Sequence, residues 1–431
     1  MSFFFRQPST IQDLVLRFPH VLEQIFQKLD NKSLFNCREV ARSWQNIIDG
    51  RNYPWLRVVN IPTILKRKNT YLHLAARTGQ IEPFKTALYE EENKNIKNQR
   101  GQTCFHIACE YGRFDIVQLL LTELECSAIN NHGIDLNAKT KYGNTAFYYA
   151  CFHGHVNVVK KLMENTAVFN INLKAKNSAG NTAFHMACKE GHLDVVNIFM
   201  KNAATLSINL STKNNDGVTA FHMACEKGHS NVVKILIENA SALSIDLSTK
   251  DNDGFTVFHW ACLNGHLNVL EILMESLSAF IIDLNTKTET GNTAFHMACK
   301  EGYSNVIKIL MENAAALDID LNTKNNCGTT AFHMACMRGH SEVVNIFMEN
   351  ATALSIDLST KDNDNYTAFH LACQKGKSEV VCILMENTSV MSINEIDTIS
   401  QNEKDDQAYL EKVQHLIKII EIEDQAKNWS N

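Results

Sequence analysis

The chain has 431 residues, of which 45% are hydrophobic and 20% are charged, and its formal net charge is −6. This is the composition of an ordinary globular protein, and no stretch approaches the roughly 18 consecutive apolar residues of a membrane-spanning helix. Residues 1–69 carry 11 Lys and Arg against 5 Asp and Glu, but the rest of the chain is acidic, which disfavours general binding of nucleic acid.

The 13 cysteines are expected to be reduced. Their number is odd, which argues against a framework of disulfides. The opening residues MSFFFRQPST break at Arg6 and Pro8, before an apolar run long enough for a secretory signal can form. Both observations indicate a reducing compartment, so we expect the protein in the cytoplasm, the nucleus or both.

Residues 15–58 form the first predicted unit. Apolar residues recur there at helical spacing in three groups: Leu22, Ile25, Phe26 and Leu29, then Leu34, Cys37, Val40 and Ala41, then Trp44, Ile47 and Ile48. Pro19 precedes the first group, where proline suits the start of a helix. The pattern predicts three short helices that cannot bury a stable core alone, so this unit rests on the next domain or is covered by a partner.

The spacing of these apolar residues resembles the F-box, with Phe18-Pro19 where that family usually has Leu-Pro. The resemblance implies docking on the small Skp adaptor of an SCF-type ubiquitin ligase, which contains a cullin. The residues that it implies as adaptor contacts are Phe18, Pro19, Leu22, Ile25, Leu29, Val40 and Trp44. The alternative is a plain helical cap on the following domain that binds no adaptor. Residues 61–69, which contain Pro62 and a short basic run, are predicted to be a linker.

Residues 70–389 are built from an internal repeat that begins at a threonine. Its nine occurrences are Thr70, Thr103, Thr145, Thr182, Thr219, Thr256, Thr293, Thr330 and Thr367. The first two intervals are 33 and 42 residues, and the remaining six are all 37. A fixed period of this length predicts stacked units, each of which buries its apolar face against its neighbours.

Each unit is predicted to contain two helices and a turn. Thr182 can cap a short apolar helix, and Gly191 fits the left-handed residue that follows such a helix. An amphipathic second helix comes next, as in residues 231–243. A turn such as the one at 251–254, Asp-Asn-Asp-Gly, closes the unit. The sequence therefore predicts an all-α fold with short β-turn fingers.

The opening pattern Thr-x-x-His-x-Ala resembles the ankyrin repeat, whose usual form is Thr-Pro-Leu-His-x-Ala. The resemblance implies an α-solenoid that binds proteins on a concave face made of turn tips and first helices. The period departs from the family, at 37 residues rather than about 33. The four extra residues fall after the second helix, so that helix either runs a turn longer or ends in an extra compact turn.

A His and a Cys three residues apart recur in most units, as in His185 and Cys188 of NTAFHMACKEGH. Such a pair suggests zinc or nucleophilic catalysis, but a zinc site needs about four converging ligands. The resemblance assigns the His to a bond with the Thr of a repeat, and a buried Cys behaves as a small hydrophobic residue. We therefore expect no metal, no cofactor and no catalytic residue, and a protein that is not an enzyme.

Differences between the near-identical repeats indicate where a partner binds. The residue after the turn glycine and the residues after Ala-Cys vary most, and the apolar choices there are Val218, Phe255, Leu263, Met337 and Tyr366. Apolar residues rimmed by charge predict a protein-binding patch, and neutral drift among duplicated repeats is the alternative. Trp260 replaces a methionine that the motif normally buries, so we expect local repacking around it.

Residues 405–424 predict a C-terminal amphipathic helix that caps the solenoid. Its apolar face contains Tyr409, Leu410, Val413, Leu416, Ile417 and Ile420. Asp405 and Asp406 lie in its first turn, where negative charge suits the helix dipole. A helix that binds a partner or a membrane is the alternative, and its net negative charge disfavours the membrane.

The sequence as a whole indicates a non-catalytic substrate receptor of an SCF-type ligase, with an F-box end for the adaptor and an ankyrin-like stack for a protein target. The rival interpretation is an ankyrin scaffold or inhibitor with no link to ubiquitin. A pathogen effector of the same architecture is a third. We expect neither nucleic acid nor a membrane among the partners.

Overall fold

The computed structural model describes residues 70–91, 93–126, 133–277 and 283–386. Within these ranges the protein is all-helical, with twenty helices and no strands, as the sequence predicts. None of these helices combines the length and the apolar character needed to cross a membrane. The predicted units 15–58, 61–69 and 405–424 lie outside the described residues. The chain divides between Asn209 and Leu210 into two compact units.

The described part of the first unit contains four repeats. Its helices are α1 (Tyr71–Thr78), α2 (Ile81–Glu90), α3 (Cys104–Glu110), α4 (Phe114–Cys126), α5 (Ala146–Phe152), α6 (Val156–Glu164), α7 (Thr166–Phe169), α8 (Ala183–Lys189) and α9 (Leu193–Asn202). The first helices of the repeats, α1, α3, α5 and α8, pack side by side in one row. The second helices, α2, α4, α6 and α9, pack in a parallel row behind them.

The described part of the second unit contains five repeats. Its helices are α10 (Ala220–Glu226), α11 (Ser230–Glu238), α12 (Ala240–Leu243), α13 (Val257–Leu263), α14 (Leu267–Glu275), α15 (Ala294–Glu301), α16 (Ser304–Glu312), α17 (Ala331–Arg338), α18 (Ser341–Asn350), α19 (Ala368–Gln374) and α20 (Ser378–Glu386). Helices α10, α13, α15, α17 and α19 form the first row, and α11, α14, α16, α18 and α20 form the second.

The core of each unit runs between the two rows. A first helix such as α8 is largely buried, because it packs against α5 in its row and against its own second helix, α9. Its Phe184 contacts Phe199 of α9, with ring centroids 5.0 Å apart. Burying a side chain of this size contributes about 1.5–3 kcal/mol, so the phenylalanine stabilises the packing of the two helices of its repeat.

The extra residues of the long repeat form a compact turn, not a longer second helix. After α11 ends at Glu238, the four-residue helix α12 follows and ends at Ser244, whose φ is 51°. Helix α7 ends in the same way at Asn170, with a φ of 49°. Left-handed backbone at Ser244, which has a Cβ, is strained, so the contacts of this turn must stabilise it.

One polar side chain at the start of a finger bonds to the backbone of the next repeat and so ties neighbouring repeats together. The Nδ2 of Asn285 donates to the carbonyl of Asp318 at 2.6 Å, and its Oδ1 accepts from the backbone N–H of Asp320 at 2.8 Å. Asn95, Asn137 and Asn322 make the same pair of bonds to the repeat that follows each of them. Ser211 does so through its hydroxyl. We call this set the asparagine ladder.

Candidate protein-binding surface

In the fold each finger packs against the helix that follows it, as Asp251 does against Trp260, so from this point each finger is counted with that repeat. The recurring His then caps its own helix and bonds to the next repeat. Thr256 donates its backbone N–H to Nδ1 of His259 at 3.2 Å. Because Nδ1 is an acceptor, the proton of the neutral ring lies on Nε2, which donates to the carbonyl of Asn292 at 3.1 Å. The same pattern holds at His106, His296 and His333. The Thr-x-x-His motif is therefore a capping box that also joins repeats.

Burial keeps these imidazoles neutral. It lowers the pKa of His259 to about 4, and it does the same at His106, His222 and His296. Both nitrogens of His259 already have backbone partners. The ring therefore has no lone pair left for a metal, and it does not change its protonation state near neutral pH.

The recurring Cys of the repeat is a packing residue. Cys262 is fully buried, and desolvation raises the pKa of its thiol. At Cys373, which holds the same place in the last repeat, burial raises the thiol pKa to about 12. A thiol that stays protonated is a poor nucleophile and a poor metal ligand. In the part of the chain that the structure describes, no three His, Cys, Asp or Glu side chains converge as a metal site.

The fingers are the tight turns between repeats, such as the one at 251–254. A polar side chain at the base of the turn accepts hydrogen bonds from the backbone of the turn. Oδ1 of Asp251 accepts the backbone N–H groups of Asp253 and Phe255, at 3.0 and 2.8 Å. Gly101 at the end of its finger has a φ of 78°, and an added Cβ would lie 2.8 Å from the backbone N of Lys141. Glycine at this position therefore allows both the turn and the close approach of the next finger.

Within each unit the finger tips are hydrogen-bonded to one another. In the first unit Lys141 donates its backbone N–H to the carbonyl of Arg100 at 3.1 Å, and Ser178 donates to Tyr142 at 2.9 Å. In the second unit Asn252 donates to Asp216 in the same way, at 2.9 Å. The fingers of each unit thus form a continuous ridge beside the first helices, with fixed spacing between tips.

The five residues predicted to bind a partner lie beside these ridges, and all five are half-buried. Val218, Phe255 and Tyr366 follow the end of a finger. Leu263 and Met337 lie at the C-terminal ends of α13 and α17. Phe255 and Leu263 lie in one repeat, and the other three lie in other repeats. Their role in binding stays a prediction. The predicted adaptor contacts, from Phe18 to Trp44, lie outside the described residues.

The repacking expected around Trp260 does not bury it. Its indole is half-buried, whereas Met297 in the same place of a neighbouring repeat is 4% exposed. The indole is larger than a thioether, and its Nε1 donates to Oδ2 of Asp251 at 3.1 Å. Its centroid lies 5.3 Å from that of Phe255. Phe255, Trp260 and Leu263 together present an apolar surface beside one finger.

A second aromatic group, which is not among the residues predicted to bind a partner, lies in the third repeat. Tyr149 occupies the place of Trp260, and Phe152 occupies the place of Leu263. Both are half-buried and contact Tyr148, with centroid distances of 5.9 and 6.4 Å. Tyr142, at the tip of the finger, is 66% exposed. The signal for these residues is the one that singles out Leu263: the residue after Ala-Cys, here Phe152, differs from its counterparts in the other repeats.

Comparison with protein families identifies both parts of the chain. The family model described as ankyrin repeats (3 copies) matches residues 72–175, 169–251, 241–323 and 314–397, which together are well over half of the chain. The protein therefore belongs to the ankyrin-repeat family. The F-box domain model matches residues 15–56, so the chain is an F-box and ankyrin-repeat protein, as predicted.

These families indicate interaction and not catalysis. F-box domains and ankyrin repeats are typically non-catalytic interaction modules, and no catalytic family is indicated for this chain. The F-box implies binding to a Skp-type adaptor, and the ankyrin repeats imply protein targets. A search of curated proteins found no match to the chain.

Proposed function

We propose that the protein is the non-catalytic substrate-recognition subunit of an SCF-type ubiquitin ligase. The observation that carries the proposal is the presence, on one chain, of an F-box match at residues 15–56 and of ankyrin repeats over residues 72–397. The first module would dock on the Skp adaptor and, through it, on the cullin. The second would hold a protein target.

The geometry of the repeats supports the second half of this role. Finger tips joined by backbone hydrogen bonds, such as the one from Asn252 to Asp216, hold variable side chains at fixed spacing. Those side chains include the aromatic pair Phe255 and Trp260. Aromatic anchors on a rigid frame lose little entropy on binding, which suits recognition of one protein surface.

The mechanism is proximity. A target held on the ankyrin repeats is kept close to the ubiquitin-loaded enzyme at the other end of the ligase, which raises the effective concentration of the target's lysines. No residue of this chain needs to take part in bond making. The proposal includes a location in the cytoplasm or the nucleus, where buried thiols such as Cys262 stay reduced.

The test is co-elution of the full-length protein with a purified Skp adaptor in size-exclusion chromatography. We expect a complex that the double variant Pro19→Ala/Leu22→Ala does not form. The variant Asp253→Asn, which changes one finger of the ankyrin repeats, should bind the adaptor normally. Circular dichroism of all three proteins establishes that the repeats are folded in each.

Two results would overturn the proposal. The first is the absence of a complex at micromolar concentrations, and the second is a complex that the double variant retains. Either would leave an ankyrin scaffold or inhibitor with no ligase role, in which residues 15–58 serve as a cap on the repeats.

A further inference from the structure

Each of the first three fingers contains two cationic residues, whereas each finger of the second unit contains one. Residues 95–101, 137–143 and 174–180 contain no Asp or Glu, and their cationic residues are Lys97, Arg100, Lys139, Lys141, Lys174 and Lys176. The five fingers of the second unit contain five Lys against six Asp and Glu. In a chain whose net charge is −6, this segregation sets the first ridge apart. We call these three fingers the basic ridge.

All six cationic side chains of the basic ridge are exposed. Lys97 and Lys139 extend along the ridge, since each Nζ donates to a backbone carbonyl of the next finger at 3.0 Å. Arg100 and Lys141 lie at the tips, joined by their backbone hydrogen bond of 3.1 Å. Positive charge is thus held along a line by hydrogen bonds of the fold itself.

Two acidic side chains of the same repeats have hydrogen-bond partners other than the cations of the ridge. Glu110 accepts from the side-chain amide of Gln102, and Asp135 accepts the backbone N–H of Asn137. Glu190 is exposed at the end of the first helix of the fourth repeat, next to Lys189. Within the described ranges, neither Arg100 nor Lys141 has an acidic partner within 4 Å.

An aromatic group lies in the middle of the basic ridge. Tyr142, which is 66% exposed, occupies the tip of the central finger, between Arg100 and Ala179 in the neighbouring tips. Beside it, Tyr149 and Phe152 are half-buried on the first helix of the same repeat. Tyrosine and arginine are the residue types that most often dominate binding energy in protein interfaces.

We propose that the basic ridge binds an acidic segment of a target protein, and that an apolar side chain of that segment contacts Tyr142. The proposal deepens the proposed function and rests on it, because it names the chemistry of the target that the repeats would hold. Complementary charge fixes the orientation of such a segment and speeds its association. A polypeptide is proposed rather than nucleic acid because ankyrin repeats imply protein targets and because the exposed Tyr142 offers a surface on which an apolar side chain can pack.

The other fingers of the chain supply substitutions that the fold already accepts. Asp253 lies one residue before the glycine of its finger, as Arg100 does in the first finger. Asn252 lies two residues before that glycine, as Lys141 does in the second finger. Ala179 corresponds in the same way to Tyr142. The test variants are therefore Arg100→Asp/Lys141→Asn and Tyr142→Ala. The matched control, Lys160→Asp/Lys161→Asn, makes the same change of net charge on α6, away from the fingers.

The experiment measures binding of the full-length protein, without adaptor, to three fluorescein-labelled probes by anisotropy. The probes are an oligo-glutamate peptide with a central leucine, an oligo-lysine peptide of the same design, and an oligothymidylate. We expect the glutamate peptide to bind best and to lose affinity as salt rises. The finger double variant should weaken its binding about tenfold, and Tyr142→Ala should weaken it severalfold.

Three results would overturn the inference. They are a glutamate peptide that binds no better than the lysine peptide, an oligothymidylate that binds more tightly than either, and a control variant that loses as much affinity as the finger variant. Because no adaptor is present, these results are independent of the co-elution test. A failure here would leave the ligase role standing with a target of other chemistry.

Discussion

The Nε2 of His259 lies 3.1 Å from the carbonyl oxygen of Asn292, in the next repeat of the chain. The Nδ1 of the same ring accepts the N–H of Thr256, the cap of its own helix. One buried, uncharged side chain thus satisfies backbone groups in two repeats. This double role explains why a histidine, and not a simple capping residue, recurs in the motif.

Substituting His259→Ala should lower the free energy of unfolding by about 2–3 kcal/mol. Loss of the cap costs about 1 kcal/mol, and the part-buried carbonyl of Asn292 left without a donor costs about 1–2 kcal/mol, in the lower part of the usual range. Urea unfolding followed by circular dichroism measures the change. The control His153→Ala, at an exposed position outside the motif, should stay close to the parent protein. Equal effects of the two variants would contradict the double role.

The protein should lose stability as the pH falls from about 6.5 toward 4. Burial lowers the pKa of His106, His222, His259 and His296 to about 4 in the folded state, so the unfolded chain, with a histidine pKa near 6.5, takes up protons first. The stability is fully present above pH 6.5, and each of these histidines removes about 2 kcal/mol of it by pH 5. Melting temperatures across this range measure the loss, and a flat profile above pH 5 would refute the prediction.

Substituting Asn285→Ala should destabilise the second unit by about 1–2 kcal/mol. It removes the bonds to Asp318 and Asp320, each worth about 0.5–1.5 kcal/mol. The variant Asn285→Ser should keep part of that stability, because Ser211 makes both bonds elsewhere with a hydroxyl. Amide hydrogen exchange at Asp320 reports the bond directly. Unchanged protection of that amide in the alanine variant would show that the ladder does not hold the segment.

The cysteines should differ sharply in their reactivity toward a thiol reagent. Cys327 is exposed in a finger, whereas Cys262 is fully buried and burial raises its thiol pKa. In the native protein we expect Cys327 to be alkylated at least about a hundredfold faster than Cys262, because reaction at the buried thiol requires local unfolding. Peptide mapping by mass spectrometry after timed alkylation measures both rates. Rapid labelling of Cys262 would mean that the repeat opens readily.

The features that the sequence predicts correctly are those with local causes. Thr182 caps the start of α8, and Gly191 takes a left-handed backbone just after the end of that helix, because the rules for helix ends involve only near neighbours. The period then places these pairs in a stack. The sequence alone could not decide between a longer second helix and a compact turn, since residues 239–244 contain no glycine and Ser244 takes a left-handed backbone that serine rarely adopts.

The features that sequence reasoning missed depend on neighbours that are distant in the chain. The bond from Asn285 to Asp318 spans 33 residues, and a polar side chain in a loop gives no sign of it until the repeats are stacked. Trp260 looked like a core residue because its place normally buries a methionine. Its position near the surface follows from the size of the indole and from Asp251, nine residues before it.

The asparagine ladder also bears on how such a chain can change in length. Through these bonds each Asn or Ser contacts main-chain groups of the following repeat, and main-chain groups are present whatever the side chains are. A duplication or deletion of one whole unit therefore leaves each rung with a partner. The gene can therefore gain or lose whole copies of the repeat. The row of variable finger tips then becomes longer, shorter or reordered, and no new kind of contact between repeats is needed.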